Sequence, residues 1–184
     1  RDIAGARECV KEIVVVDTGS TDRTKDVSRE AGATVLDYPF NGDFSAARNF
    51  SLTACTGEWI LVLDADEFFP LSPRFMLDTA IDAEVAGEAN PYKGYYLLRH
   101  NYEDNEWRVT YSDYVLRLFR NLKGVRYQHR VHESPEDSLD SMVGKYGKLT
   151  SMPLSHYLFE RDERYLISKH IAYVDGLLKD ISEN

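Results

Sequence analysis

The sequence predicts an α/β fold: a mostly parallel, Rossmann-like sheet flanked by helices, with a smaller antiparallel part after it. Three observations predict this. Apolar runs alternate with helical patterns through residues 1–69. Two of those runs, "VVVD" and "LVLD", end in aspartate, at the strand edge where open parallel sheets bind ligands. Beyond them the texture changes to an aromatic-rich stretch that alternates as antiparallel strands do.

The elements follow in order. "EIVVVDTG" is a continuous apolar run closed by Asp and Gly, which reads as a strand buried on both faces. "STDRTKDVSREAGA" reads as a helix capped by Ser20 or Thr21, with Thr24, Val27 and Ala31 inward and Gly32 as its stop. "TVLDYP" is a second strand, ended near Pro39. "FSAARNFSLTACTG" is a second helix, with Ser45 as cap and Gly57 as stop, and "EWILVLDADE" is a third strand. This order predicts parallel pairing with helices on the faces. "SPRFMLDTAIDAEVAG" reads as a helix with Ser72 as cap and Pro73 in its first turn. Tyr92–Asn121 reads as antiparallel strands, with turns at Glu103–Asn105 and Asn121–Gly124. A last helix from about Glu163 carries Ile167, Ile171, Val174, Leu178 and Ile181 at helical spacing. Residues 1–184 are expected to form one domain in two halves, 1–69 and 70–184.

Composition narrows the function. The hydrophobic fraction is 43% and the charged fraction 29%, an ordinary globular profile. No apolar run approaches the ~20 residues of a membrane span. A net charge of −9 argues against nucleic acid as a partner. The two cysteines, Cys9 and Cys55, form no CxxC pair and read as reduced residues of a cytoplasmic protein. No signal peptide is visible, and since the chain begins with Arg1 its natural start is expected upstream.

Three stretches carry chemistry. In "LDADE", Asp64 and Asp66 are separated by one residue at the end of an apolar strand. Turning into a loop there, they can converge on a hard divalent cation, Mn²⁺ or Mg²⁺, for which oxygen ligands are suited. The plainer alternative is a solvated acidic turn. In "VVDTGSTD", Asp17 and Asp22 bracket a small polar loop whose backbone suits a flat ring. Asp17 can accept from a base N–H or from ribose hydroxyls; strand-end and helix-cap roles are the alternative. In "DFSAARNF", Arg48 stands near a helix amino terminus and suits phosphate or a nucleobase carbonyl. Its alternative is a surface ion pair with Asp43 or Glu58.

Taken together, "VDTGSTDRT", "DFSAARNFSL" and "GEWILVLDADE" resemble glycosyltransferase family 2, with its GT-A fold. The likeness is dense from Glu12 to Phe69 and looser over "RLFRN", "VHE" and "SHYLF". Within the family, the chain is most similar to lipopolysaccharide-core glucosyltransferases and peptide S-glycosyltransferases. The resemblance implies an inverting, metal-dependent transfer from a nucleotide-sugar, often a UDP-sugar, to a saccharide, lipid-linked or peptide acceptor. It makes residues 1–69 the nucleotide-binding half and 70–184 the acceptor half. By position, Asp17, Thr18 and Asp22 fall on uridine contacts and Arg48 on the nucleotide. Asp64 falls on ribose or a metal-bound water, Asp66 on the metal, and His156 of "PLSHYLF" on the late histidine that this fold often brings to the metal. It is compatible with peripheral association at the inner face of a membrane, and it leaves the oligomeric state open.

Inversion requires a base that deprotonates the acceptor hydroxyl. Glu133, beside His132 in "QHRVHESPED", is the candidate, with Asp113 in reserve; a loop ion pair is the alternative for Glu133. Tyr95, Tyr96, Tyr102, Trp107 and Tyr111 are candidates for an acceptor platform, or else plain core. Two departures from the family stand out. Its opening strand and Lys-Asn-Glu-like loop do not precede "RDIAGARECV", so the first strand is missing from this sequence. The Gln-x-x-Arg-Trp element of processive synthases is also absent, which implies single-sugar transfer. Two rival readings are a non-catalytic nucleotide-sugar-binding scaffold and a haloacid-dehalogenase-like phosphatase with Asp64 as nucleophile. The second fits poorly, because Glu67 stands where that motif wants Thr and the motif follows two strand–helix units.

Overall fold

The first apolar run forms strand β1 (Val14–Asp17), paired in parallel with β2 (Thr34–Asp37) from Val14↔Thr34 to Asp17↔Asp37. The computed structural model describes residues 9–82, 90–102 and 108–157. They fall into two compact units interleaved along the chain. One is built around Glu12–Cys55 and Lys123–Ser141, the other around Thr56–Leu122 and Met142–Glu160.

In the first unit, helix α1 (Thr24–Glu30) connects β1 to β2, and helix α2 (Phe44–Leu52) follows. Neither uses the cap expected of it. Asp22 accepts from Thr24 N at 2.9 Å, so an Asx turn starts α1. Its buried residue is Ser28, whose hydroxyl donates back to Thr24 O, while Val27 is 48% exposed. At α2 the cap is Asp43, which accepts from Ala46 N at 2.9 Å. Ser45 is thereby released for another contact. Gly32, at φ 85°, closes α1 as expected. A short helix, α4 (Glu136–Asp140), buries Leu139 in the same unit.

The second unit holds a five-stranded sheet in the order β3-β6-β5-β7-β4. Its strands are β3 (Trp59–Leu61), β4 (Glu67–Phe68), β5 (Tyr92–Tyr102), β6 (Val109–Arg120) and β7 (Lys145–Tyr157). The expected antiparallel hairpin is β5–β6. Two pairings differ from the expected topology. The run "WIL" pairs antiparallel with β6 instead of extending the β1–β2 sheet, from Trp59↔Arg120 to Leu61↔Leu118. And β7, which has mixed composition and carries Pro153, forms a long strand parallel to β5. The parallel pairs are thus β1–β2 and β5–β7, and the other pairs of the five-stranded sheet are antiparallel. An apolar run identifies a strand but not its neighbour, which is chosen by which faces can be buried.

Helix α3 (Arg74–Ile81) lays Met76, Leu77 and Ala80 on this sheet against Tyr95, Leu97 and Leu118. Met76 and Leu77 each contribute roughly 1.5–3 kcal/mol. At Gly94 and Gly147 a side chain would crowd the sheet's own packing, with Gly147 lying directly on the Tyr95 ring. Among the described residues no helix is long and apolar enough to cross a membrane. Trp107, the turn at Glu103–Asn105, the end of the helix expected to reach Gly87 and the helix from Glu163 lie outside the described residues.

Candidate functional site

The acidic turn is built by its third carboxylate. After β3 the chain turns at Asp64–Glu67, and Glu67 N donates to Asp64 O at 3.0 Å. The Glu67 side chain reaches back so that Asp64 N donates to its Oε2 at 3.1 Å. These reciprocal bonds close the turn as a capping box closes a helix start. Glu67 is fully buried and receives two guanidiniums, Arg99 Nη1 at 3.0 Å and Arg117 Nη2 at 2.6 Å, both on Oε1. Arg117 also donates to Asp64 Oδ2 at 2.6 Å. Arg99 forks onto Asp113 with bonds of 3.0 and 2.6 Å. Burial disfavours the Arg99 charge, but Asp113 and Glu67 outweigh it and move its pKa further up.

The network continues to His156. Asn101, fully buried on β5, donates from Nδ2 to Asp113 Oδ1 at 3.1 Å. Burial alone would raise the Asp113 pKa; the bonds from Arg99 and Asn101 bring it below the ordinary carboxylate value. Asn101 Oδ1 meets His156 Nδ1 at 2.6 Å. The other ring nitrogen, Nε2, faces Asp66 Oδ2 at 3.6 Å. Strands β4 and β7 place these two residues: Glu67 pairs with His156, and Tyr157 N donates to Asp66 O at 3.0 Å. For Asp66, burial raises the pKa, but hydrogen bonding and charge from His156 win and the net shift is down.

This donor set fits a divalent cation. Two ligands about 2 Å from one ion stand roughly 3–4 Å apart, and Asp66 and His156 meet that span. Among the described residues, Asp64, Glu67 and Asp113 pair with Arg99 and Arg117, while Asp66 faces His156. Asp64 does not join the pair, because Arg117 holds its Oδ2. Among the described residues no three His, Cys, Asp or Glu form a metal cluster. Two protein ligands are nevertheless what Mg²⁺-type sites commonly use when substrate phosphates complete the shell.

The other unit carries the remaining candidates. Asp17, 4% exposed, accepts from Gly19 N at 3.2 Å and Ser20 N at 3.1 Å. Hydrogen bonding from Ser20 is the largest cause of its lowered pKa, followed by opposing burial and then by help from Gly19 and Lys25. Asp17 therefore organises the loop containing Thr18 and Gly19, the latter at φ 121°. Asp22 caps Thr24, as above.

Among the described residues, the two carboxylates expected beside Arg48 pair with other arginines. Asp43 pairs with Arg130 at 3.7 Å and Glu58 with Arg120 at 2.7 Å. Arg48 Nε instead donates to Glu133 Oε1 at 2.6 Å and lies over the Tyr127 ring. This is one rung of a ladder from α2 to the loop 127–133. Phe44 N donates to Arg130 O, Ser45 Oγ donates to His129 O, and Asn49 and Tyr127 exchange two bonds. Within that loop His129 and His132 adopt left-handed φ of 70° and 56°, a costly conformation that such contacts sustain. Glu133 thus sits in a loop ion pair with Arg48.

The tyrosines expected as a platform are not brought together on one face. Tyr95 is core and donates its hydroxyl to Ala80 O. Tyr96 meets Tyr146 edge-on, Tyr111 is exposed, and Tyr102 stacks on Tyr157, which stacks on Phe68. Sequence reasoning did not assign Arg99, Arg117 or Asn101 their parts. The one available signal was charge inside apolar strands, in "YLLRHNY" and "VLRLF", where buried charges must be paired.

Comparison with known proteins agrees with this architecture. Residues 3–74 match the family model "Glycosyl transferase family 2". A TPR repeat-containing protein of Synechococcus elongatus is 38% identical over 167 residues, 88% of this chain and 39% of that protein. An uncharacterized glycosyltransferase of Rickettsia felis is 37% identical over 184 residues, 98% of this chain and 64% of that protein. The chain therefore spans from about two fifths to just under two thirds of the length of these relatives. Among solved structures, Staphylococcus aureus TarS superposes with a TM-score of 0.61 at 16% identity, over 85% of this chain and 34% of TarS. Glucosyl-3-phosphoglycerate synthase of Mycobacterium tuberculosis, solved with Mn²⁺ and UDP-glucose, gives 0.55 at 16% identity, over 96% of this chain and 73% of that one. At these identities the structures share the fold.

Proposed function

Because this chain belongs to glycosyltransferase family 2, we propose that it transfers a single sugar from a UDP-sugar to a saccharide, lipid-linked or peptide acceptor, with inversion and with Mn²⁺ or Mg²⁺. The observation that carries the proposal is the Asp66–His156 pair, two metal-type donors 3.6 Å apart beside a carboxylate-rich turn. The Mycobacterium tuberculosis synthase solved with Mn²⁺ and UDP-glucose supports the choice of donor and metal.

In this reading Asp66 and His156 hold the cation, and Asp64, kept in place by Arg117, takes the ribose. When bound, the ion supplies a Lewis acid that neutralises the departing nucleoside diphosphate. Asp17, Thr18 and Asp22 form the nucleoside loop. Asp17 shapes it through Gly19 and Ser20, so that backbone groups do much of the recognition. Glu133 receives the acceptor hydroxyl's proton. Arg48 aims it through Oε1.

The decisive experiment is a thermal-shift screen of UDP-, GDP- and TDP-sugars with and without Mn²⁺. A saturating UDP-sugar with Mn²⁺ should stabilise the protein by ~3 kcal/mol at a hundredfold excess over Kd. No shift with any donor would remove both the proposal and the scaffold reading, since each requires a nucleotide-sugar to bind. Release of UDP in the presence of Mn²⁺ would separate the enzyme from a scaffold that merely binds.

A further inference from the structure

The buried polar chain on β5 and β6 continues past the residues expected at the metal. We propose that Asn101 is a positioning residue for His156: it accepts the Nδ1 proton, so that Nε2, the nitrogen facing Asp66, is the one left to bind a cation. This rests on the reading of Asp66 and His156 as cation ligands.

Four observations carry it. Asn101 is fully buried, so its amide has no solvent to reorient into. Its Nδ2 lies 3.1 Å from Asp113 Oδ1 and 3.5 Å from Tyr111 O, both of which can only accept. A flipped amide would put oxygen against oxygen at both contacts, so Oδ1 must point the other way. There it meets His156 Nδ1 at 2.6 Å, and an amide oxygen can only accept, so Nδ1 carries the proton. Finally, Asp113 is itself fixed by the Arg99 fork, and Arg99 by buried Glu67. The amide orientation is thus set from the core outward.

The consequence is chemical. A neutral imidazole with Nδ1 protonated presents Nε2 as a lone pair, the form in which histidine binds a metal. Metal-binding histidines commonly donate their other ring N–H to a fixed acceptor, which sets tautomer and ring orientation. Asn101 occupies that place. The same chain explains why Glu67 belongs to the acidic turn without touching the cation. One arm fixes Asp64 through Arg117, and the other fixes His156 through Arg99, Asp113 and Asn101.

The test reads the tautomer directly. Long-range ¹H–¹⁵N spectra of the metal-free protein, at a pH where the ring is neutral, report which nitrogen carries the proton; His156→Gln assigns the signal. His156 should be protonated on Nδ1. Asn101→Leu should shift it towards the Nε2–H form that free imidazoles prefer. Mn²⁺ affinity measured by calorimetry should fall about 10–100-fold in Asn101→Leu. A wild-type ring protonated on Nε2 overturns the proposal even if Asn101→Leu does not fold. An unchanged tautomer in a folded Asn101→Leu overturns it as well. If the wild type binds no Mn²⁺, the cation reading fails, while the spectra still decide what Asn101 does.

Discussion

Removing the Glu67 carboxylate is the sharpest perturbation of this protein. The side chain is fully buried and serves three donors, Arg99 Nη1, Arg117 Nη2 and Asp64 N. Breaking a buried ion pair on one side costs roughly 3–5 kcal/mol, because the partner charge stays buried. Here each guanidinium keeps another carboxylate, Asp113 for Arg99 and Asp64 for Arg117. Glu67→Ala should therefore fall at the lower end, about 3 kcal/mol. Glu67→Gln preserves shape and one acceptor, but its NH₂ then faces either a guanidinium or Asp64 N. Its loss should be about 1.5–3 kcal/mol, the range for hydrogen bonds to charged groups. For a chain of this size 1 kcal/mol corresponds to about 2–4 °C, so Glu67→Ala should lower Tm by roughly 6–12 °C. Thermal unfolding followed by circular dichroism, with urea midpoints alongside, provides the measurement. A Glu67→Ala protein within about 1 kcal/mol of wild type would refute the claim that this carboxylate organises the turn.

Other outcomes follow from the same geometry. Asp66→Ala should abolish Mn²⁺-dependent binding of UDP-sugar; unchanged calorimetric affinity with Mn²⁺ present would sink its role as ligand. Glu133→Gln should leave donor binding intact and stop transfer, whereas near-normal turnover would place the base elsewhere. Asp17 has a folded pKa below its ordinary 3.8, so the folded state binds that proton less readily than the unfolded chain. Its contribution is complete above the unfolded value and is lost as pH falls through the lower folded one. Asp17→Asn should thus flatten the acid limb of Tm against pH below about pH 4, and superimposable limbs would contradict this. Gly147→Ala should cost about 1–3 kcal/mol, since its methyl would press into the buried Tyr95 ring; a neutral urea midpoint would show that the ring moves freely.

What was legible in the sequence was local. Runs such as "VVVD" and "WIL" identify strands because apolar side chains must leave water whatever they pair with. Gly32 marks a helix end because few residues accept its φ. The order of "VDTGSTD", "DFSAARN" and "LDADE" pointed to the family through their shared spacing. The caps were harder, because Asp43 and Ser45 are both good cap residues. Only the loop at His129 shows why the serine is used elsewhere. The site's interior depended on tertiary structure. His156 lies 55 positions from Asn101, and Arg117 lies 53 from Asp64. No local pattern couples residues so far apart. Their pairing follows from the register of β5 on β7 and β3 on β6, which is decided by the burial of whole faces. The sequence by itself therefore determined which residues carry charge at the strand ends. Only the tertiary structure decided which carboxylates are spent on arginines and which stands opposite a histidine. The physical reason is that a buried charge must find its partner in space, and nothing in the one-dimensional pattern specifies who that partner is.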